Sequence, residues 1–297
     1  MTRPKTKALD ETLAILNGLV GDYLVRTDNG LATDMACYHD GKPLPLTAAG
    51  IAVAHASTTG RVAVFVHGVM CTENIWRMPD GSDYGSRLSR DAGFTPFYVR
   101  YNTGRAITEN GASLAKLLEE LVTSYPRAID ELLIVGYSMG GLVLRSACHF
   151  ATEQKLGWLS HVKRAVYVGT PHLGAPAERI GKVVARVLGA IPDPYTKLIA
   201  DISNLRSMGV KDLGDAGPVP LLTSVQHYLI AGSLAGEDTS SIGMWFGDAV
   251  VPLTSATMRG NSLPEGHIKV FPGLSHIDIP HDAAVYEQIR TWCEPIP

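Results

Sequence analysis

Short apolar runs alternating with helical periodicities constrain this chain more than any other feature of it. Val62-Ala63-Val64-Phe65-Val66 is continuously apolar and β-rich, as expected of a strand buried on both faces of a parallel sheet. Phe97-Tyr98-Val99, Leu132-Leu133-Ile134-Val135 and Ala165-Val166-Tyr167-Val168 repeat that character. Between them Leu114, Leu117, Leu118, Leu121 and Val122 recur at helical spacing. The order strand, helix, strand, helix predicts an α/β fold with a mostly parallel, doubly wound sheet and right-handed crossovers. The sheet is expected to resume with Gln226 to Ala231 and Ile268 to Phe271, and the chain to close on a helix around Ala283 to Trp292.

The flanking regions follow other rhythms. Leu13, Leu16, Val20 and Leu24 predict an amphipathic helix from about Asp10 to Leu24, and Gly41, Pro43, Pro45 and Gly50 punctuate what read as short strands and turns up to Gly60. From about Ala175 to Gly236 the pattern becomes helical. Ile180, Val183, Val184, Val187, Leu188 and Ile191 form one stripe, which Pro192 and Pro194 end, and Tyr195, Leu198, Ile199, Ile202 and Leu205 form a second. Both stripes could line a pocket or simply pack on the core. The 297 residues fit one domain over 1–297, with an N-terminal helix and short strands in 1–60 and a helical insertion over 175–236.

Composition excludes several classes of function. Apolar residues at 45% and charged residues at 19% are enough for a sizeable core. Twenty-six Lys and Arg against 29 Asp and Glu, without a basic run, argue against nucleic acid as a partner. No stretch of about 18 uncharged apolar residues exists to cross a bilayer, so stable membrane insertion is not expected. The stretch after the basic residues Arg3, Lys5 and Lys7 carries Asp10, Glu11 and Asp22, so secretory export is not indicated and a cytoplasmic location is expected. Cys37, Cys71, Cys148 and Cys293 are scattered, which suits free thiols. Oligomeric state is not legible.

The chemistry centres on Gly136-Tyr137-Ser138-Met139-Gly140, a Gly-x-Ser-x-Gly motif between an apolar strand and a helical stretch. In that context the serine sits on a strained strand-to-helix turn, a nucleophile elbow, with its hydroxyl lifted above the sheet. The competing reading, a phosphate cradle at a helix N-terminus, would need glycine or lysine spacings that do not occur here. The Met139 backbone N–H would supply one donor to an oxyanion. The loop Phe65-Val66-His67-Gly68-Val69-Met70 would supply the other, from Val69. His67 precedes the serine and is read as a brace for that loop rather than as a base.

A general base must come later in the chain. His149 and His172 lie too early for the usual order of serine, acid, histidine, and His227 precedes the expected acid. His267 precedes a strand, whereas His276 lies in the loop after it, where it can swing over the sheet edge; His281 is the alternative. The acid belongs in a loop after the strand beginning at Gln226. Asp248, in Gly247-Asp-Ala-Val-Val-Pro252, is the leading candidate, with Asp238 and Glu237 as alternatives and a turn-capping role as its ordinary reading.

Taken in order, His67-Gly68, Gly136 to Gly141, Gly169-Thr-Pro-His-Leu-Gly174, Gly247 to Pro252 and Ser275-His276-Ile-Asp278 resemble the bacterial triacylglycerol lipases and the related PGAP1-like esterases, from about Arg61 to the C-terminus. The resemblance implies an α/β-hydrolase domain and ester hydrolysis through Ser138, Asp248 and His276, with the Val69 and Met139 amides as oxyanion hole. It also implies a helical lid over 175–236. Many such lipases hold calcium through an aspartate shortly after the catalytic histidine; Asp278 occupies that place without an evident partner ligand. Trp76, Trp245 and Phe246 flank the motif loops and are expected in the substrate pocket wall.

The reaction expected is a two-step acyl transfer to water from a small-molecule or lipid ester with an apolar acyl chain, without cofactor or metal. The same triad could pass the acyl group to an alcohol or amine, or cleave an amide. A non-catalytic hydrolase fold that binds an apolar ligand would lack a triad member, and none is missing from the sequence.

Overall fold

The computed structural model describes residues 4–189, 207–214, 219–234, 248–260 and 263–294. Its centre is a sheet of strands β1 (Ala36–His39), β2 (Lys42–Pro43), β3 (Arg61–Val66), β4 (Phe94–Arg100), β5 (Glu131–Tyr137), β6 (Val162–Val168), β7 (Gln226–Ser233) and β8 (Ile268–Pro272). They lie in the order β2-β1-β4-β3-β5-β6-β7-β8. From β4 to β8 every pairing is parallel, whereas β1 runs antiparallel to both of its neighbours. The doubly wound, mostly parallel sheet is as the sequence pattern predicts. Each apolar run is a strand, extended by one to three residues at its ends.

The pleat explains why these runs are apolar throughout. Val62, Val64 and Val66 of β3, with Leu132 and Ile134 of β5, enter one hydrophobic core, and Ala63, Phe65, Leu133 and Val135 enter another on the opposite face. The first core is covered by α4 (Ile107–Ser124) and α5 (Met139–Gln154), which contribute Leu114, Leu118, Val143 and Leu144. The second is covered by α3 (Tyr84–Ala92) and α9 (Ala283–Trp292), which contribute Leu88, Val285 and Ile289. Each such side chain removed from water contributes roughly 1.5–3 kcal/mol.

An ionic clasp binds the N-terminal ends of the central strands to the end of α9. Glu131 accepts from Arg61 Nε at 2.9 Å and also from Arg164, while Arg61 Nη2 reaches the Cys293 carbonyl at 2.6 Å and Arg164 Nη2 that of Glu294 at 2.9 Å. The opposite, C-terminal ends of the strands are thereby left to the functional loops, where open α/β sheets hold their ligands.

Two segments differ from the sequence reading. The lead-in helix α1 runs from Pro4 to Arg26, with a break at Val20 where φ is −137°. Residues 48–54, read as part of a turn-rich stretch, form helix α2 (Ala48–Ala54), started by the Thr47 side chain accepting from the Gly50 amide. In the expected insertion α6 (Ala177–Gly189) and α7 (Met208–Asp212) are helical, and the strand expected from Gln226 is β7. The second apolar stripe, Tyr195 to Leu205, lies outside the described residues. A last short helix, α8 (Leu253–Ala256), follows β7. Among the described residues no helix is long and apolar enough to cross a membrane.

Candidate active site

Ser138 occupies the one-residue turn between β5 and α5, with φ 52° and ψ −123°. That conformation is costly for a residue with a Cβ, and the surroundings enforce it. The Ser138 amide donates to the Val168 carbonyl at 2.8 Å, and its own carbonyl accepts from the Gly141 amide at 3.1 Å. The turn also presses α5 against the end of β3. A Cβ on Gly140 would stand 2.3 Å from the Val66 carbonyl oxygen, so only glycine fits.

His276 and Asp248 arrive from loops after β8 and β7. The ring Nε2 of His276 is 2.9 Å from Ser138 Oγ, and its Nδ1 is 2.7 Å from Asp248 Oδ2. The second Asp248 oxygen accepts from the Val250 and Val251 amides at 3.0 and 2.7 Å. This turn is sharp, with Ala249 at φ 77°, and it fixes which carboxylate oxygen faces the imidazole. The His276 amide donates to the Asp248 carbonyl at 2.9 Å, which locks the two loops together. All three side chains are buried, Asp248 at 1% exposure, so their hydrogen bonds act in a low-dielectric setting.

Tyr137 braces this arrangement in a way that the sequence does not signal. Its hydroxyl donates to the His276 carbonyl at 2.9 Å, and its ring lies 5.2 Å from the imidazole. Burial pushes the Tyr137 phenol well above its ordinary pKa, so it remains a neutral donor.

The loop expected to supply an oxyanion donor follows β3. A Cβ on Gly68 would lie 3.0 Å from the Ser138 Cβ, so the glycine lets this loop pass close to the serine. Among the described residues neither the Val69 nor the Met139 amide donates a hydrogen bond, which leaves both free for a ligand. His67 is fully buried and donates from Nδ1 to the Gly68 carbonyl at 2.9 Å, while Tyr101 stacks on its ring and donates to its carbonyl at 2.9 Å. Burial depresses its pKa to about 4, so it is a neutral brace.

Three of the other histidines weighed as the base are engaged elsewhere. His281 Nδ1 is bonded to the Arg77 carbonyl, His267 Nδ1 to that of His227, and His172 Nδ1 accepts from Arg145 at 3.2 Å. Of the acids, Asp278 accepts from the Ser275 hydroxyl, and Glu237 and Asp238 lie outside the described residues.

An apolar cavity of about 160 Å³ opens on Ser138 and His276. Its walls include Ile180 and Val184 of α6, Val210 of α7, and Leu213. Trp76, expected in this wall, is instead fully buried in the second core, edge-on to Tyr84 and Tyr137 and tilted against Phe65; its neighbour Ile75 lines the cavity. Trp76 belongs to the 3₁₀ turn Glu73–Trp76, which turns successive side chains to different sides. Trp245 and Phe246 lie outside the described residues.

Comparison with solved structures matches this architecture to a Bacillus licheniformis lipase, BlEst2, in its mature form. The TM-score is 0.54 at 19% identity, over 78% of this chain and 91% of that one. An α/β-hydrolase fold protein from Chitinophaga pinensis matches with a TM-score of 0.53 at 13% identity, over 81% and 91% of the two chains. The chain has the α/β-hydrolase fold. Residues 58–187 of the chain also match the family described as "Putative serine esterase (DUF676)", which supports a carboxylic ester hydrolase. The matched segment covers a little under half of the chain, from strand β3 through the Ser138 turn to α6, and ends before Asp248 and His276. No curated protein matches the chain at a significant level.

Proposed function

We propose that this α/β-hydrolase cleaves carboxylic esters with an apolar acyl chain by way of an acyl-enzyme on Ser138. The observation that carries this reading is the unbroken relay Ser138 Oγ, His276 Nε2, His276 Nδ1, Asp248 Oδ2, with contacts of 2.9 and 2.7 Å, at the mouth of an apolar cavity.

In the first step Ser138 Oγ attacks the ester carbonyl while His276 Nε2 takes its proton. Asp248 stabilises the imidazolium so formed and keeps the Nδ1 proton on its own side, which leaves Nε2 free as the base. The Val69 and Met139 amides receive the developing oxyanion, and the positive N-terminal end of the 16-residue helix α5 adds to its stabilisation. His276 returns the proton to the departing alkoxide. In the second step a water, deprotonated by His276, attacks the acyl carbonyl and releases the acid and Ser138. Helices α6 and α7, which carry apolar residues into the cavity wall, act as the cap over the acyl chain.

The test is hydrolysis of a butyrate ester by wild type and Ser138→Ala. A loss of at least a thousandfold in kcat in the variant is expected, and equal rates in the two proteins refute the reading.

A further inference from the structure

The cavity at the nucleophile has a size and a chemistry that narrow the acyl group it accepts. In a serine hydrolase the acyl part stays on the serine through both steps, whereas the alcohol leaves and water takes its place. The dry part of the site is therefore the acyl part, and here it is the space of about 160 Å³ that reaches Ser138. An apolar protein cavity of about 150 Å³ stays free of water and is filled by a six-carbon ring such as benzene. Among the described residues that wall this cavity no Lys, Arg, Asp or Glu occurs, and the Tyr137 hydroxyl is already committed to the His276 carbonyl. A charged or strongly hydrated acyl group would lose its water there without a replacement partner.

We infer that the enzyme is selective for esters of uncharged, apolar carboxylic acids of about six carbons, and that Val210 and Leu213 set this limit. This rests on the ester-hydrolase reading above. Ile180 and Val184 approach from α6, Val210 and Leu213 from the α7 segment, and both of the latter are almost fully buried, at 6% and 4% exposure. A buried wall cannot move aside without opening a void, so a longer chain must leave the cavity or displace helix. Each methylene buried on the way to six carbons raises kcat/KM about fourfold. From an acetyl to a hexanoyl ester, four methylenes longer, the rise is therefore about 250-fold, followed by a fall once the space is full.

The experiment is kcat/KM for p-nitrophenyl esters of two, four, six, eight and twelve carbons with wild type, Ser138→Ala, Val210→Phe and Leu213→Ala. Circular dichroism accompanies each variant. Wild type is expected to peak near six carbons. Val210→Phe, which fills the cavity, moves the optimum to two to four carbons, and Leu213→Ala, which enlarges it, moves the optimum to eight or beyond. The opposite shifts serve as mutual controls, since partial unfolding lowers every rate without moving the optimum. A wild-type optimum at eight or twelve carbons, a flat profile, or an unmoved optimum in both folded variants overturns the inference while leaving the esterase reading intact. If no ester is cleaved above the Ser138→Ala background, the esterase reading itself fails and this inference falls with it.

Discussion

Replacing Asp248 by Asn tests the relay through its hydrogen-bond polarity, because the structure permits the amide only one orientation. One carboxylate oxygen accepts from two buried backbone amides, of Val250 and Val251, at 3.0 and 2.7 Å. In Asp248→Asn the side-chain carbonyl must keep that place. Turning the NH2 group toward the two amides would leave both donors unsatisfied, at about 1–3 kcal/mol each. The NH2 group is therefore aimed at His276 Nδ1, 2.7 Å from the present Oδ2. A donor there forces Nδ1 to accept, which moves the ring proton to Nε2, and an Nε2–H facing Ser138 Oγ cannot take the serine proton. The side-chain volume is unchanged and the cavity is untouched, so KM should move little. The expected loss is roughly 10⁴ in kcat, or about 5 kcal/mol of transition-state stabilisation. Steady-state hydrolysis of a soluble butyrate ester between pH 6 and 9 reads it directly. A variant that folds and retains kcat within tenfold of wild type would refute the argument that Asp248 sets the tautomer of His276.

Other perturbations separate positioning from stability. Gly169 has φ 59°, and a Cβ there would lie 3.2 Å from the His276 ring, so Gly169→Ala should cost about 1–2 kcal/mol of stability and lower kcat at least tenfold, read by thermal melting and ester turnover. Gly140→Ala would drive a Cβ to 2.3 Å from a backbone oxygen in the core of the site, and a loss of about 3 kcal/mol or more in urea unfolding is expected. His67 and His227 are buried and neutral, with pKa values depressed to about 4 from 6.5 chiefly by burial. Between pH 6.5 and 4 the unfolded chain binds protons that the native state refuses, so stability should fall with decreasing pH by roughly 2–3 kcal/mol for each histidine. A urea midpoint unchanged from pH 7 to pH 4.5 would contradict this.

The strands and the triad candidates were legible because each carries a local signature. Val62 to Val66 alternate between two cores, so apolar residues occupy every position, and such a run belongs to a strand with helices on both faces. Ser138, Asp248 and His276 stood out because a tight turn, a sharp acidic loop and a loop after the last strand each constrain the chain over a few residues. What the sequence hid is set by contacts between distant residues. The bond from Tyr137 to the His276 carbonyl spans 139 positions, and the clasp joining Arg61, Glu131 and Arg164 to the end of α9 has no pattern in any one segment. Trp76 shows the limit of adjacency: it lies close in sequence to the loop after β3, yet the turn sends its ring into the core and leaves the cavity wall to Ile75. Helix α2 went unread because Pro43, Pro45 and Gly50 read as turn residues, whereas in the structure the Thr47 side chain caps the helix through the Gly50 amide. In the expected insertion, the stripe containing Ile180 and Val184 was readable, whereas Val210 lies in a helix too short for periodicity to reveal and Leu213 just after it.

Covalent labelling shows whether the Ser138 hydroxyl is the nucleophile and His276 its base. A fluorophosphonate incubated with wild type should add one phosphonyl group, located by peptide mass spectrometry on the fragment holding Ser138, and His276→Ala should slow that labelling at least a hundredfold. Stoichiometric adduct on another residue, or labelling of Ser138 at the wild-type rate in His276→Ala, would rule out this pairing of nucleophile and base.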